Sequence, residues 1–274
     1  MTRQLIVSAD DLGLHEAINR GVLEGYEEGI VTAASIVACG SAFEDAARLV
    51  SRRRKLDIGI HLTLVEEEPV LRSGRLGTLA PNGRFPKTYR ELFFALIKGK
   101  IRLREVELEL DAQIQRVLDA GLTVSHLDSH QHTHFFPQIR PIVMSLAEKH
   151  GIRGVRAGAK VVPGRTRFSL FLGPLAKRAH REARSYGFVT PDALWLPSPS
   201  GRMSGLQLVK GIPRLPQGVT ELVVHPGADQ RALDRVYPHW QFKWRQELAA
   251  VQASDVRDAL DRNKVTLTRY SELE

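Results

Sequence analysis

Along this chain, short apolar runs that end in ionisable residues alternate with stretches of helical period. Leu5-Ile6-Val7 leads into Ser8-Ala9-Asp10-Asp11. From His15 to Glu28, Ile18, Val22 and Tyr26 recur on one face with Ala17, Gly21 and Gly25 beside them, and Gly29 stops the helix. Val31–Val37, rich in β-branched residues, reads as a second strand. Ser41 is the expected N-cap of a helix reaching Val50. Ile58–Thr63 forms a third strand, and Leu122–Leu127 a fourth after a helix marked by Val106, Leu110, Ile114, Val117 and Leu118. A helix from about Pro137 buries Ile139, Ile142, Val143 and Leu146, and Ile152–Arg156 follows as a short fifth strand. Leu194–Leu196, Gly218–His225, two C-terminal helical segments and Val265–Leu267 complete the pattern. Strands separated by helices form βαβ units, so an α/β fold with a mostly parallel sheet is expected.

Two stretches break the rhythm. Residues 66–90 are rich in Gly, Pro, Arg and Asn and lack a sustained period, which predicts an irregular loop insert over the active site. Within 158–190, Ser169–Arg184 reads as an amphipathic helix, with Leu170, Leu172, Leu175 and Ala176 against Lys177, Arg178, Arg181 and Arg184. Such a helix lies either on the protein surface or against lipid.

Composition narrows the class. With 274 residues and 43% apolar content, the chain can build a sizeable core, and its length suits one (β/α) barrel, so residues 1–274 are expected to form a single domain. The lone Cys39 excludes an intramolecular disulfide and is expected to be a small buried residue. Asp10 and Asp11 interrupt the only signal-like run, and no stretch of 18 apolar residues exists. A cytoplasmic location, at most peripheral to the inner membrane, is therefore expected. The net charge of +8 invites anionic partners. However, the basic run Arg52-Arg53-Arg54-Lys55 has no interleaved aromatics, so nucleic acid is not expected.

Parallel α/β folds place ligands at the carboxyl ends of their strands. Strand one ends in Asp10-Asp11, strand three near His61, strand four at His126, Asp128 and His130, and the late strand at His225. Carboxylate and imidazole donors without cysteine suit a catalytic divalent ion such as Zn²⁺, Mg²⁺, Mn²⁺, Fe²⁺ or Co²⁺. A spare carboxylate can take a proton from water, and a further His can protonate a leaving group. This inventory describes metal-assisted hydrolysis. His126 reads either as a ligand or as a core residue, Asp128 as an orienting carboxylate, and His132 and His134 as loop-bonding or substrate-contacting groups. His15, His150, His180 and His239 read as surface or helix residues. No GxxxxGK[ST], GxSxG or GxGxxG motif is present.

Ser-Ala-Asp-Asp-Leu-Gly at 8–13, Gly-Ile-His-Leu-Thr at 59–63, His-Leu-Asp-Ser-His-Gln-His-Thr-His at 126–134 and Val-His-Pro-Gly at 224–227 together resemble the YdjC-like carbohydrate deacetylases. That group includes chitooligosaccharide and hopanoid-biosynthesis deacetylases. The resemblance implies a distorted (β/α) TIM-like barrel and one divalent metal held by Asp11, His61 and His130. It also implies Asp10 as general base and His225 as general acid, and it is what selects His130 over His126. The substrate implied is an N-acetylated amino sugar, free or glycolipid-linked; a homodimer is left open. Two other readings remain, a metal phosphoesterase and a non-enzymatic binder of anionic surfaces. Because adjacent strand residues point to opposite faces, Asp10 and Asp11 can share a site only if the chain turns there, and Leu12-Gly13 is the expected turn.

Overall fold

The computed structural model describes residues 2–71, 74–162, 167–196 and 200–274, with residues 167–169 described by their backbone alone. Parts of the two irregular stretches, 72–73 and 163–166, lie outside the described residues. The strands are β1 (Arg3–Leu12), β2 (Ala33–Ile36), β3 (Asp57–Leu62), β4 (Val124–Ser129), β5 (Gly154–Val155), β6 (Lys160–Val162), β7 (Ala193–Trp195), β8 (Gly218–Val224) and β9 (Val265–Leu267). All pairings are parallel, in the order β5-β4-β3-β2-β1-β8-β7-β6. β1 is the hub. It pairs with β8 from Arg3 to Ala9, with β9 from Arg3 to Leu5, and with β2 from Ser8 to Leu12.

The sheet is strongly curled into a distorted, partly open barrel. Four strand spacings separate β5 from β1, about 19 Å in a flat sheet. Yet Arg156, just past β5, bonds Ser8 and Asp10 of β1 and Glu221 of β8. Alternation then sorts the side chains. Leu5, Val7 and Ala9, with Ile58, Ile60, Leu127 and Val155, face outward into the main core beneath the helices. Inside, Ile6, Ala33 and Tyr270 form a lower apolar layer. Above it lie Ser8, Ser35, His126, Arg156 and Glu221, and above these Asp10, His61 and Asp128, all buried. Gly59 belongs to this inner set: a Cβ there would meet the His126 ring at 2.3 Å.

The helix Arg167–Ser185 covers the open side. Its Leu172, Ala176 and Ala179 pack on Leu194, Leu196, Val223 and Phe135. Leu170, expected on the buried face, is exposed. β4 extends two residues beyond expectation, so Asp128, like His126, lies within the strand rather than beyond it. The residues that follow, His130–Phe135, form a 3₁₀ stretch, and the next helix begins only at Arg140. Ser41 is not an N-cap; its hydroxyl donates to the Leu14 carbonyl, and Ala42 takes the cap position without a side-chain bond. Three C-terminal helices, Gln230–Val236, Trp244–Gln252 and Ser254–Arg262, stand where two were expected.

The loop after β3 is irregular up to the helix Tyr89–Ile97, but it is tethered. Glu109 accepts from the Val70 and Leu71 amides, and Glu105 from those of Thr78 and Leu79. Among the described residues, no helix is long and apolar enough to cross a membrane.

Candidate active site

Asp10 and Asp11 reach one site because the chain turns at Asp11 itself. The β1–β2 register breaks between Ala9 and Leu12, and Asp11 has φ +69°. Aspartate is among the few residues that tolerate this left-handed conformation. Gly13 follows at φ +95°, its amide donating to Asn19 Oδ1 at 2.7 Å, while the Leu14 amide donates to the Asp11 carbonyl. The expected turn at Leu12-Gly13 thus begins one residue earlier. Neither aspartate caps the next helix; His15 does, through Nδ1.

The two carboxylates have different partners. Asp10 is gripped by the buried Arg156 guanidinium, Nη1 to Oδ2 and Nη2 to Oδ1, both at 2.7 Å. Asp11 Oδ1 lies 3.0 Å from His130 Nδ1 and 3.5 Å from His61 Nε2. Burial works against the Asp11 charge, but His130 and then His61 outweigh it and hold the carboxyl well below the usual range. His61 Nδ1–H donates to Asp128 at 2.8 Å, which fixes the tautomer and leaves Nε2 facing Asp11. His130 Nε2 lies 3.0 Å from Glu66 Oε2. Burial disfavours the His130 cation, yet Asp11 and Glu66 push its pKa up to about 10.

The donor atoms of Asp11, His61 and His130 lie within 4.8 Å of one another. Ligand bonds of about 2.1 Å to one ion would set donors roughly 3.0–3.4 Å apart, which the 3.0 and 3.5 Å separations approach. These three residues fit a divalent ion. A second cluster, Asp10, His61 and Asp128, is geometrically similar. There, however, Arg156 Nη2 already lies 2.7 Å from both Asp10 Oδ1 and Asp128 Oδ2. A fixed guanidinium neutralises those carboxylates and opposes a second cation.

His225 enters from the end of β8. Glu247 accepts from the His225 and Met203 amides and places Oε2 3.6 Å from His225 Nδ1. Burial lowers the His225 pKa, but Glu247 and the two aspartates more than compensate and raise it. His126 is a core residue. It bonds Ser35 and Ser125, stacks on Tyr270 at 3.9 Å, and is held neutral by burial with a pKa of about 3. Asp128 orients His61. His134 is locked between Ser129 and the Arg156 carbonyl. His132, in left-handed backbone at φ +54°, lines the cavity.

That cavity, about 460 Å³, is lined by Asp10, Asp11, His61, His130 and His225, with Trp240, Phe242 and Tyr89 toward the mouth. A larger cavity of about 740 Å³, lined by Arg54, Arg153 and Tyr270, opens at the amino ends of the strands and holds none of these groups. Glu66, Arg156, Glu221, Trp240 and Glu247 had no assigned role from sequence. A charged residue inside an apolar strand, as Glu221 is, signals an internal partner. Arg156 at the end of strand five carried the same signal. His239, read as a surface residue, is exposed but lines the mouth and bonds Glu66.

Comparison with known proteins places these features in context. The family model described as YdjC-like protein matches residues 4–262. A carbohydrate deacetylase of Geobacillus stearothermophilus is 39% identical over 158 residues, 57% of this chain and 61% of that relative. The alignment thus spans less than two thirds of that protein's length. A carbohydrate deacetylase of Brevibacillus brevis is 30% identical over 277 residues, covering 98% of this chain and 99% of the relative. A crystallised Enterococcus faecalis V583 protein, provisionally assigned to cellobiose-phosphate cleavage, shares the fold with a TM-score of 0.79 at 22% identity, covering 99% of this chain and 98% of that one.

Proposed function

Since the chain belongs to the YdjC-like family, we propose that it is a metal-dependent carbohydrate deacetylase that hydrolyses the N-acetyl group of an amino sugar. The observation that carries this reading is the convergence of Asp11, His61 and His130 in one cavity with Asp10 and His225. The first three would hold the ion, which when bound supplies Lewis acidity toward an acyl carbonyl and toward water. The remaining steps belong to the chain's own residues. Asp10, its oxygens oriented by Arg156, accepts the proton of the attacking water. His225, biased toward its protonated form by Glu247, donates a proton to the departing amine. Trp240, Phe242 and Tyr89 at the mouth offer apolar faces to a sugar ring. The sugar is part of an oligosaccharide or a glycolipid, and the ion is Zn²⁺ or Mg²⁺ in the first instance.

The test is acetate release from a panel of N-acetyl sugars with metal content measured on the same sample. EDTA should abolish release. Asp11→Asn and His130→Ala should lose metal, whereas Asp10→Asn should keep metal and lose activity. Undiminished turnover by Asp10→Asn would refute the assignment. Phosphate-ester hydrolysis with two ions per chain would favour a phosphoesterase instead, and the guanidinium between Asp10 and Asp128 argues against that outcome.

A further inference from the structure

The rim of the cavity carries exposed apolar side chains that neither the core nor the proposed chemistry uses. Two helices begin at this rim, Tyr89–Ile97 and Arg167–Ser185. Tyr89, Arg90, Phe171 and Leu172 line the cavity itself. Of these, Phe171 is 45% exposed, and further out Phe94 is 58% exposed, Ile97 56% and Leu170 66%. The two helices meet through Phe93, whose ring lies edge-on to Phe94 at 5.9 Å and to Phe171 at 6.3 Å. The exposed groups therefore form one ridge beside the mouth rather than scattered residues, and such a ridge marks an interaction surface.

Charge identifies what the ridge meets. Lys98 and Lys100 follow the first helix, and Lys177, Arg181 and Arg184 continue the exposed face of the second beyond Leu170 and Phe171, all of them exposed. The acidic residues on these helices are Glu91 and Glu182, and Glu182 is already paired with Arg140 and Arg178. Apolar side chains flanked by unopposed cations match the interface of an anionic bilayer, where the first enter the acyl boundary and the second meet lipid phosphates. Ile97 and Leu170 are aliphatic and cannot stack on a sugar ring, so a longer carbohydrate track does not account for them.

We propose that this ridge docks the protein on an anionic lipid surface, with the mouth of the cavity opening toward the headgroup layer. The proposal is independent of catalysis and is tested without it. Vesicles of phosphatidylcholine with about one third phosphatidylglycerol are sedimented with the full chain at low and physiological salt. The expected result is partition into these vesicles, weak partition into pure phosphatidylcholine, and binding at least about tenfold weaker for the combined Phe94→Ser, Ile97→Ser, Leu170→Ser variant. These positions are exposed and lie outside the cavity lining, so circular dichroism and metal content should be unchanged. Absence of wild-type partition into anionic vesicles would overturn the proposal, as would undiminished binding by the variant. Self-association that is lost in the variant without any vesicle binding would assign the ridge to a second copy of the chain.

Discussion

Replacing Arg156 with Met removes the guanidinium at the centre of the barrel while keeping its bulk. The guanidinium is fully buried and contacts Asp10, Asp128 and Glu221, all buried as well. At an effective dielectric near 20, each contact is worth up to about 4 kcal/mol of Coulomb attraction. The net loss is smaller, because the carboxylates can take up protons instead of remaining charged. Breaking a buried pair typically costs about 3–5 kcal/mol, a large share of the roughly 5–15 kcal/mol that holds a domain folded. The sign of the pH dependence follows from the same contacts. Burial already raises Glu221 to a pKa of about 7, with Arg156 the main opposing influence, and Arg156 also helps keep Asp128 low. Without Arg156 both folded-state pKa values rise. Groups with raised folded pKa values contribute stability at low pH and lose it as pH rises through those values. The deficit of Arg156→Met relative to wild type should therefore be largest near pH 8 and shrink toward pH 5.5. Urea unfolding followed by circular dichroism at several pH values measures this. A loss under about 1 kcal/mol at pH 8, or a deficit that grows on acidification, would refute the view that this cation holds the inner carboxylates in place.

Glu221→Gln should flatten the pH–stability curve. The wild-type group, with a folded pKa of about 7, loses its stabilising contribution as pH rises from 5 to 8, so the variant should gain on wild type across that window by up to about 3 kcal/mol; parallel curves would contradict this. Gly59→Ala places a methyl 2.3 Å from the His126 ring, which Ser35, Ser125 and Tyr270 hold still. A loss of about 1–3 kcal/mol is expected, and a scan showing no fall in Tm would mean that the ring can yield. Burial pushes the Cys39 thiol well above its ordinary pKa, so the native protein should react with a thiol reagent far more slowly than the urea-unfolded chain; equal rates would show the site to be open.

The order of strands and helices was legible because each strand is a short apolar run bounded by a helical period. That Asp10, Asp11, His61, His126, Asp128, His130 and His225 share one rim was legible because they fall at or near strand ends of a parallel sheet, but the choice of Asp11, His61 and His130 among them came from the family resemblance and not from spacing. Three features were not legible, each for a physical reason. The positive φ at Asp11 has no unique signature, since aspartate is ordinary in both strands and turns; only the need for two adjacent carboxylates to share a site hinted at it. Glu66 reaches His130 from an irregular loop, whose path depends on tethers to Glu105 and Glu109, 26 and 38 residues along the chain from the amides they hold. Arg156 and Glu221 meet only because the sheet curls, and no local pattern encodes how far a sheet curls. Yet each, taken alone, violated the expectation that apolar strands carry no unpaired charge. Two such violations of opposite sign, in strands the chain must place in one sheet, are together an argument that the interior is polar. A polar interior fixed by one guanidinium is also what separates the roles of Asp10 and Asp11: the cation that orients the first leaves the second as the carboxylate free to meet His61 and His130.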